Sequence, residues 1–198
     1  MVLLHSKLLR FCCNFFLHSL YQISIVIYYT AFMFKSSNTN NLKVCFNAIC
    51  RRDLIWYCSI PEDDSFSTRP GAQFKTKGAV AVGFILFGTS FLFVNSHLTA
   101  HQENVKDRVK DLKKISAMLN LPKLLPLKKR HEIFDSYDCC FWCGDLNFRL
   151  EQSREEIIKD IEDGVSVLET DQLGWLMSKG TIFRGFKVSH LLNWKRKL

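Results

Sequence analysis

Acidic side chains are scarce in this chain: 19 Asp and Glu stand against 27 Lys and Arg, a formal net charge of +8. The imbalance favours an anionic partner, whether nucleic acid, anionic lipid or a phosphorylated small molecule, without choosing among them. A disulfide framework is also missing. Cys12, Cys13, Cys45, Cys50, Cys58, Cys139, Cys140 and Cys143 sit among apolar neighbours with no framework spacing, which points to a reduced, cytosol-facing compartment. Cys140 and Cys143 form a C-x-x-C pair, but on a strand positions three apart face opposite sides, which disfavours joint zinc ligation. Between Arg10 and Lys35 there is no charged residue at all, and Phe11 to Phe34 is long enough to span a hydrocarbon core. No small-residue cleavage site clearly follows that run, so a retained segment is favoured over a removed signal peptide.

What is present suits one ordinary domain. The 198 residues are 47% hydrophobic and 23% charged, enough for a packed core and too much apolar content for global disorder. Residues 1–41 form an apolar leader with three open readings: a membrane anchor, a buried or loosely packed apolar helix, or an alternative start. Ser36 to Asn41 reads as a linker. Beyond it, Leu42 to Ile49 and Leu54 to Cys58 are apolar segments, and Ser59 to Gly71, with Pro61, three acids and Pro70-Gly71, reads as an exposed loop.

Gly78 to Phe87 and Ser90 to Leu98 predict a β-hairpin closed by a type II′ turn at Gly88-Thr89, with both strands apolar on both faces and hence buried between layers. Lys77 and His97 then meet at its open end. Thr99 and Gln102 form a capping-box pattern ahead of a helix whose stripe is Val105, Val109, Leu112, Ile115 and Leu119, with a solvated charged face. Pro122 and Pro126 close it, and Lys123 to His131 is a basic connector that is either an exposed loop or a contact for an anionic membrane surface. Ser153 with Glu156 opens a second helix that Gly164 ends, and Asp171 to Ser178 a third, stopped by Gly180. The chain ends in a basic tail, residues 187–198.

Between these lies the most informative stretch. Cys139 to Cys143 reads as a short buried strand, after which Gly144 lets the backbone turn and Asp145, Asn147 and Arg149 follow within five residues. A carboxylate, an amide and a forked cation at the end of one strand suit phosphoryl chemistry, although a plain polar turn after a core strand has the same local composition.

The string Phe141-Trp142-Cys143-Gly144-Asp145-Leu146-Asn147-Phe148-Arg149 resembles the first signature of the inositol polyphosphate 5-phosphatases, [FI]-W-x-G-D-x-N-[FY]-R, at every specified position. Lys75 to Val82 is similar to the family's K-G-[AG]-V-[AG]-[VI] strand, and Asn95-Ser96-His97-Leu98-Thr99 to its N-S-H-L-[TA] segment. Arg51 to Trp56, Thr170-Asp171-Gln172-Leu173 and Phe183-Arg184-Gly185-Phe186 are similar to the type IV branch.

The resemblance implies an α/β fold, a two-sheet sandwich of the DNase I and exonuclease III kind, over residues 42–186. It also implies magnesium-dependent removal of the 5-phosphate from phosphoinositide head groups. By position, Asp145 would orient or deprotonate the attacking water and contact Mg2+. His97 and Asn147 would hydrogen-bond phosphoryl oxygens, and Lys77 and Arg149 would be substrate-binding cations. The family's early asparagine and glutamate strands, its P-[SA]-[WY]-x-D-R signature and its late Ser-Asp-His segment find no match. The expectation is therefore an incomplete sandwich with open edges, poor solubility and impaired hydrolysis. The alternative is a non-catalytic phosphoinositide-binding fragment. An endonuclease of the same superfold is disfavoured by the Trp142 and Arg149 context, so no nucleic-acid partner is expected. The implied location is the cytoplasmic face of membranes, at Golgi or cilium.

Overall fold

The computed structural model describes residues 52–69 and 77–188, together with the backbone of three short strand segments at 2–6, 34–35 and 47–48. The strands are β1 (Val2–Ser6), β2 (Phe34–Lys35), β3 (Asn47–Ala48), β4 (Glu62–Ser67), β5 (Gly78–Leu86), β6 (Thr89–His97), β7 (Cys139–Asp145) and β8 (Lys187–Val188). The helices are α1 (Val105–Met118), α2 (Arg154–Glu162) and α3 (Gln172–Ser178). A mixed sheet runs β4-β5-β6-β7-β1-β8, and β2 pairs with β3 alone.

The predicted hairpin is the middle of this sheet, with Leu86 opposite Thr89. Its turn is therefore Phe87-Gly88, one residue earlier than expected, and both residues have positive φ (51° and 79°). Two left-handed residues define type I′, not type II′. Burial on both faces holds from Gly78 to Gly83 and lapses toward the turn, where Phe84 to Leu86 are half-buried.

Alternation sorts the strands into two faces. Ala79, Ala81, Leu92, Val94, Cys140 and Trp142 point to one side, where they pack against Leu112 and Ile115 of α1, Leu119 at its C-cap, and Leu173 and Leu176 of α3. The other side carries Val80 and Val82, both fully buried, and a stack of Phe84, Phe93 and Phe141 with centroids 5.8 and 4.6 Å apart. The chain crosses over from β6 through α1 to β7, so β6 and β7 are parallel, as such a connection requires.

Four other expectations need correction. Ser59–Gly71 is not all loop, because Glu62 to Ser67 form edge strand β4, paired with β5. Its acids are employed: the Glu62 carboxylate accepts the backbone N–H groups of Lys123, Leu124 and Leu125, and Asp64 that of Asn120. The Thr99–Gln102 capping box does not form. The Thr99 hydroxyl donates to Asp111, Gln102 reaches Leu150, and α1 starts after Asn104 without a side-chain cap. The charged face of α1 is not wholly solvated, since Arg108 and Asp111 are buried. Finally, Val2–Ser6 is a strand antiparallel to β7 and not part of an apolar helix.

The rest of the leader, the 36–41 linker, most of 42–51, Lys75-Thr76 and the tail from 189 lie outside the described residues. Among the described residues no helix is long and apolar enough to cross a membrane. The Ser153–Glu156 capping box on α2 is complete. Asp171 caps α3 by accepting from Leu173 and Gly174.

Candidate active site

Two registers bring three side chains to one end of the sheet. Antiparallel pairing sets Gly78 opposite His97, so Lys77 lies beside the imidazole. Parallel pairing sets His97 opposite Asp145 on the same face. Lys77 Nζ is 2.6 Å from His97 Nε2, and that nitrogen is 3.7 Å from Asp145 Oδ2. The first contact is a hydrogen bond. The second is longer than a hydrogen bond and within the range of a loose ion pair.

Gly144 makes the approach possible. Its φ is 117°, and a Cβ there would lie 2.0 Å from the carbonyl oxygen of Ser96 on β6. Just beyond, Leu98 N–H donates to the Asp145 carbonyl at 3.0 Å and prolongs the β6–β7 ladder into the site. Asp145 Oδ1 accepts from the Asn147 N–H at 3.1 Å, a local turn that holds Asn147 at a φ of 55°. The loop is pinned by buried Leu146.

Asn147 is itself buried, and its amide is engaged on both sides: Nδ2 donates to Leu98 O at 3.0 Å, and Oδ1 accepts from Arg149 Nη2 at 3.0 Å. Thus it holds the Arg149 guanidinium toward the site and keeps one further N–H to donate. Asp145 is the open group, with its side chain 66% exposed, against 31% for His97. Lys77 is buried, and that burial lowers its pKa; the Asp145 charge opposes the shift and Arg69 adds to it. The ensemble is a solvent-facing carboxylate beside His97 and Lys77, with Arg149 joined to it through Asn147 and Arg69 acting on Lys77. Such a set can bind phosphate oxygens and polarise a water molecule.

The five residues singled out from the sequence, Lys77, His97, Asp145, Asn147 and Arg149, are thus brought together. Arg69, Thr99, Arg108, Asp111 and Gln172 were missed. Arg69 donates to Thr99 Oγ1 at 3.3 Å, and that hydroxyl donates to Asp111 Oδ2 at 2.7 Å, tying the edge strand to α1 beneath the site. Thr99 and Gln172 did carry a signal, each as part of a motif with no role at the site attached. Among the described residues no three His, Cys, Asp or Glu side chains form a metal cluster. The described carboxylate that faces the site is Asp145. One carboxylate, completed by water and substrate phosphate, fits Mg2+, which keeps several waters and takes one or two protein carboxylates.

Known proteins similar to this chain point to one family. The family model for "Endonuclease/Exonuclease/phosphatase family 2" matches residues 30–192. Phosphatidylinositol polyphosphate 5-phosphatase type IV of Mus musculus is 40% identical over 151 residues, 71% of this chain and 23% of that protein. Synaptojanin-2 of Homo sapiens is 39% identical over 125 residues, 62% of this chain and 8% of its own length. The chain thus spans less than a quarter of the relatives it matches. The crystal structure of the inositol polyphosphate 5-phosphatase domain of SPsynaptojanin, in complex with inositol (1,4)-bisphosphate and calcium ion, aligns with a TM-score of 0.64. It is 21% identical and covers 92% of this chain and 54% of its own, a likeness of fold. With the family model spanning most of its residues and 5-phosphatases as its relatives, the chain belongs to the endonuclease/exonuclease/phosphatase family, in its inositol polyphosphate 5-phosphatase branch.

Proposed function

We propose that this chain recognises the phosphorylated inositol ring of phosphoinositides and hydrolyses its 5-phosphate. The observation that carries the reading is the parallel register of β6 and β7, which sets His97 beside Asp145, with Lys77 on the imidazole and Arg149 linked through Asn147. Asp145 orients a water and accepts its proton as the water oxygen bonds to phosphorus. The ester P–O bond breaks, and the inositol oxygen leaves with a proton from solvent. His97 and the remaining Asn147 N–H hydrogen-bond the phosphoryl oxygens while Lys77 and Arg149 neutralise charge. No covalent intermediate is needed, because positioning and charge neutralisation lower the barrier. Mg2+, held through Asp145, would add positive charge at the same oxygens.

A second reading, binding without turnover, is favoured by the lack, among the described residues, of any group of three His, Cys, Asp or Glu side chains that could hold a metal ion. Phosphate release from phosphatidylinositol 4,5-bisphosphate vesicles with and without Mg2+ separates the two. Turnover that requires Mg2+ and is abolished by Asp145→Ala supports hydrolysis, and head-group binding without release supports the second. On either reading the protein works at the cytoplasmic face of a membrane, Golgi or ciliary by kinship. The connector at 123–131, where Leu124 is 91% exposed among lysines, is the surface that would touch lipid.

A further inference from the structure

Arg108 is fully buried on α1, and every hydrogen-bond partner it has is neutral. Nη1 donates to the carbonyls of Thr99 and His101; Nη2 donates to the Gln102 carbonyl at 3.2 Å and to Gln172 Oε1 at 2.6 Å. Its Nε has no partner, and the guanidinium carbon lies 5.2 Å from the centroid of the Phe148 ring. The three carbonyls belong to the segment that leaves the sheet directly after His97. Burying a cation on neutral acceptors is expensive, and packing alone would be served as well by a leucine or methionine. Burial lowers its pKa and the positive charge of Arg149 lowers it further, against an opposing pull from Glu103, so the two cations sense one another.

Gln172 completes the link. The oxygen that accepts from Arg108 also accepts from Arg149 N–H at 3.1 Å, and Gln172 N–H donates to the Arg149 carbonyl at 3.1 Å. Its Nε2 donates to the Gln102 carbonyl at 3.1 Å. Both backbone polar groups of Arg149 are therefore held by one residue, which is itself tied to the chain that carries His97.

We propose that Arg108 and Gln172 are positioning residues for phosphate recognition: through the bonds they share, they fix the Arg149 backbone relative to His97. The inference rests on the phosphoinositide reading above. It is tested by a double-mutant cycle between Gln172→Met and Arg149→Ala, read as calorimetric affinity for inositol 1,4,5-trisphosphate, with phosphate release and thermal melts measured alongside.

Gln172→Met should weaken binding about tenfold, the worth of one charge-assisted hydrogen bond, and should cost nothing further once Arg149 is alanine. Equal losses in both backgrounds would mean a structural role only and overturn the inference. Binding without turnover, with the cycle still coupled, would remove the hydrolytic reading and leave the inference standing. No binding by the unaltered protein would overturn both. Should Gln172→Met fail to fold, Arg108→Lys carries the same cycle, since an ammonium keeps the charge but cannot fork between three carbonyls and Gln172.

Discussion

Replacing Gly144 by alanine should loosen the fold and disable the site in one step. The glycine sits opposite Ser96 in the β6–β7 ladder, and a Cβ there would meet Ser96 O at 2.0 Å, Asn95 Oδ1 at 2.6 Å and Ser96 N at 2.8 Å. Two of these atoms are strand backbone, so no flexible side-chain tip can swing away to relieve the contact. Holding a non-glycine residue at a φ of 117° costs about 1–3 kcal/mol. Forcing the strands apart costs about another 1–3 kcal/mol, giving about 2–6 kcal/mol in total. Against a typical domain stability of about 5–15 kcal/mol this is a large loss. The strands would have to separate by about 1 Å, and His97 and Asp145 with them, which predicts roughly a hundredfold drop in kcat/KM. Urea unfolding followed by tryptophan emission reads the first effect, because Trp142 is buried and its indole donates to Ser96 Oγ at 2.8 Å, next to the insult. Phosphate release reads the second. A variant within about 0.5 kcal/mol of the parent, the range of neutral surface changes, would refute the argument that this position admits no side chain.

Two further changes test parts of the fold that the site depends on unequally. Glu62→Gln should cost about 2–4 kcal/mol in denaturant unfolding, because an amide turned toward three backbone N–H groups loses charge-assisted bonds and sets one donor against another. Turnover of the folded fraction should be unchanged, since Glu62 pairs with Gly83, five residues from the catalytic end of β5, or about 17 Å. Lys77→Met addresses pH. Burial lowers the Lys77 pKa, so the unfolded chain binds more protons than the folded one between that lowered value and 10.5. Stability should therefore rise with pH across that window in the parent, and the methionine variant should lose that part of the rise in melts recorded from neutral to alkaline pH.

The sequence made the hairpin, the α1 stripe and the Gly-Asp loop legible because each follows from a local rule. Where the reading failed, a distant partner had claimed the group. The Thr99 hydroxyl could have capped a helix, but Asp111, twelve residues on, takes it. The acids of β4 looked like loop residues, yet Glu62 and Asp64 close backbone amides some sixty positions away. The turn slipped by one residue because bulky Phe87 adopts the left-handed conformation; Tyr57 stacks on its ring at 4.9 Å, a contact no turn rule could anticipate. Arg108 sits at stripe spacing, three residues after Val105 and four before Leu112, but its charge assigned it to the solvated face.

The site is therefore a property of two registers, and both are locked at the end remote from it. A one-residue slip in either would turn His97 or Asp145 to the opposite face of the sheet. The β5–β6 register is set by the two-residue turn at Phe87-Gly88, which admits a single pairing. The parallel β6–β7 pair has no such turn and needs another device. Asp138 supplies it: its carboxylate accepts from Ser90 N–H at 2.9 Å and from the Ser90 hydroxyl at 2.6 Å, while that hydroxyl accepts from Asp138 N–H at 2.9 Å. This reciprocal clasp fixes where the two strands begin. Phe91 opposite Cys139 then dictates, step by step, His97 opposite Asp145. Gly144 closes the far end by letting the backbones meet there. A motif of polar residues after a strand can therefore carry chemistry only because a serine and an aspartate far from the phosphate decide which imidazole it faces.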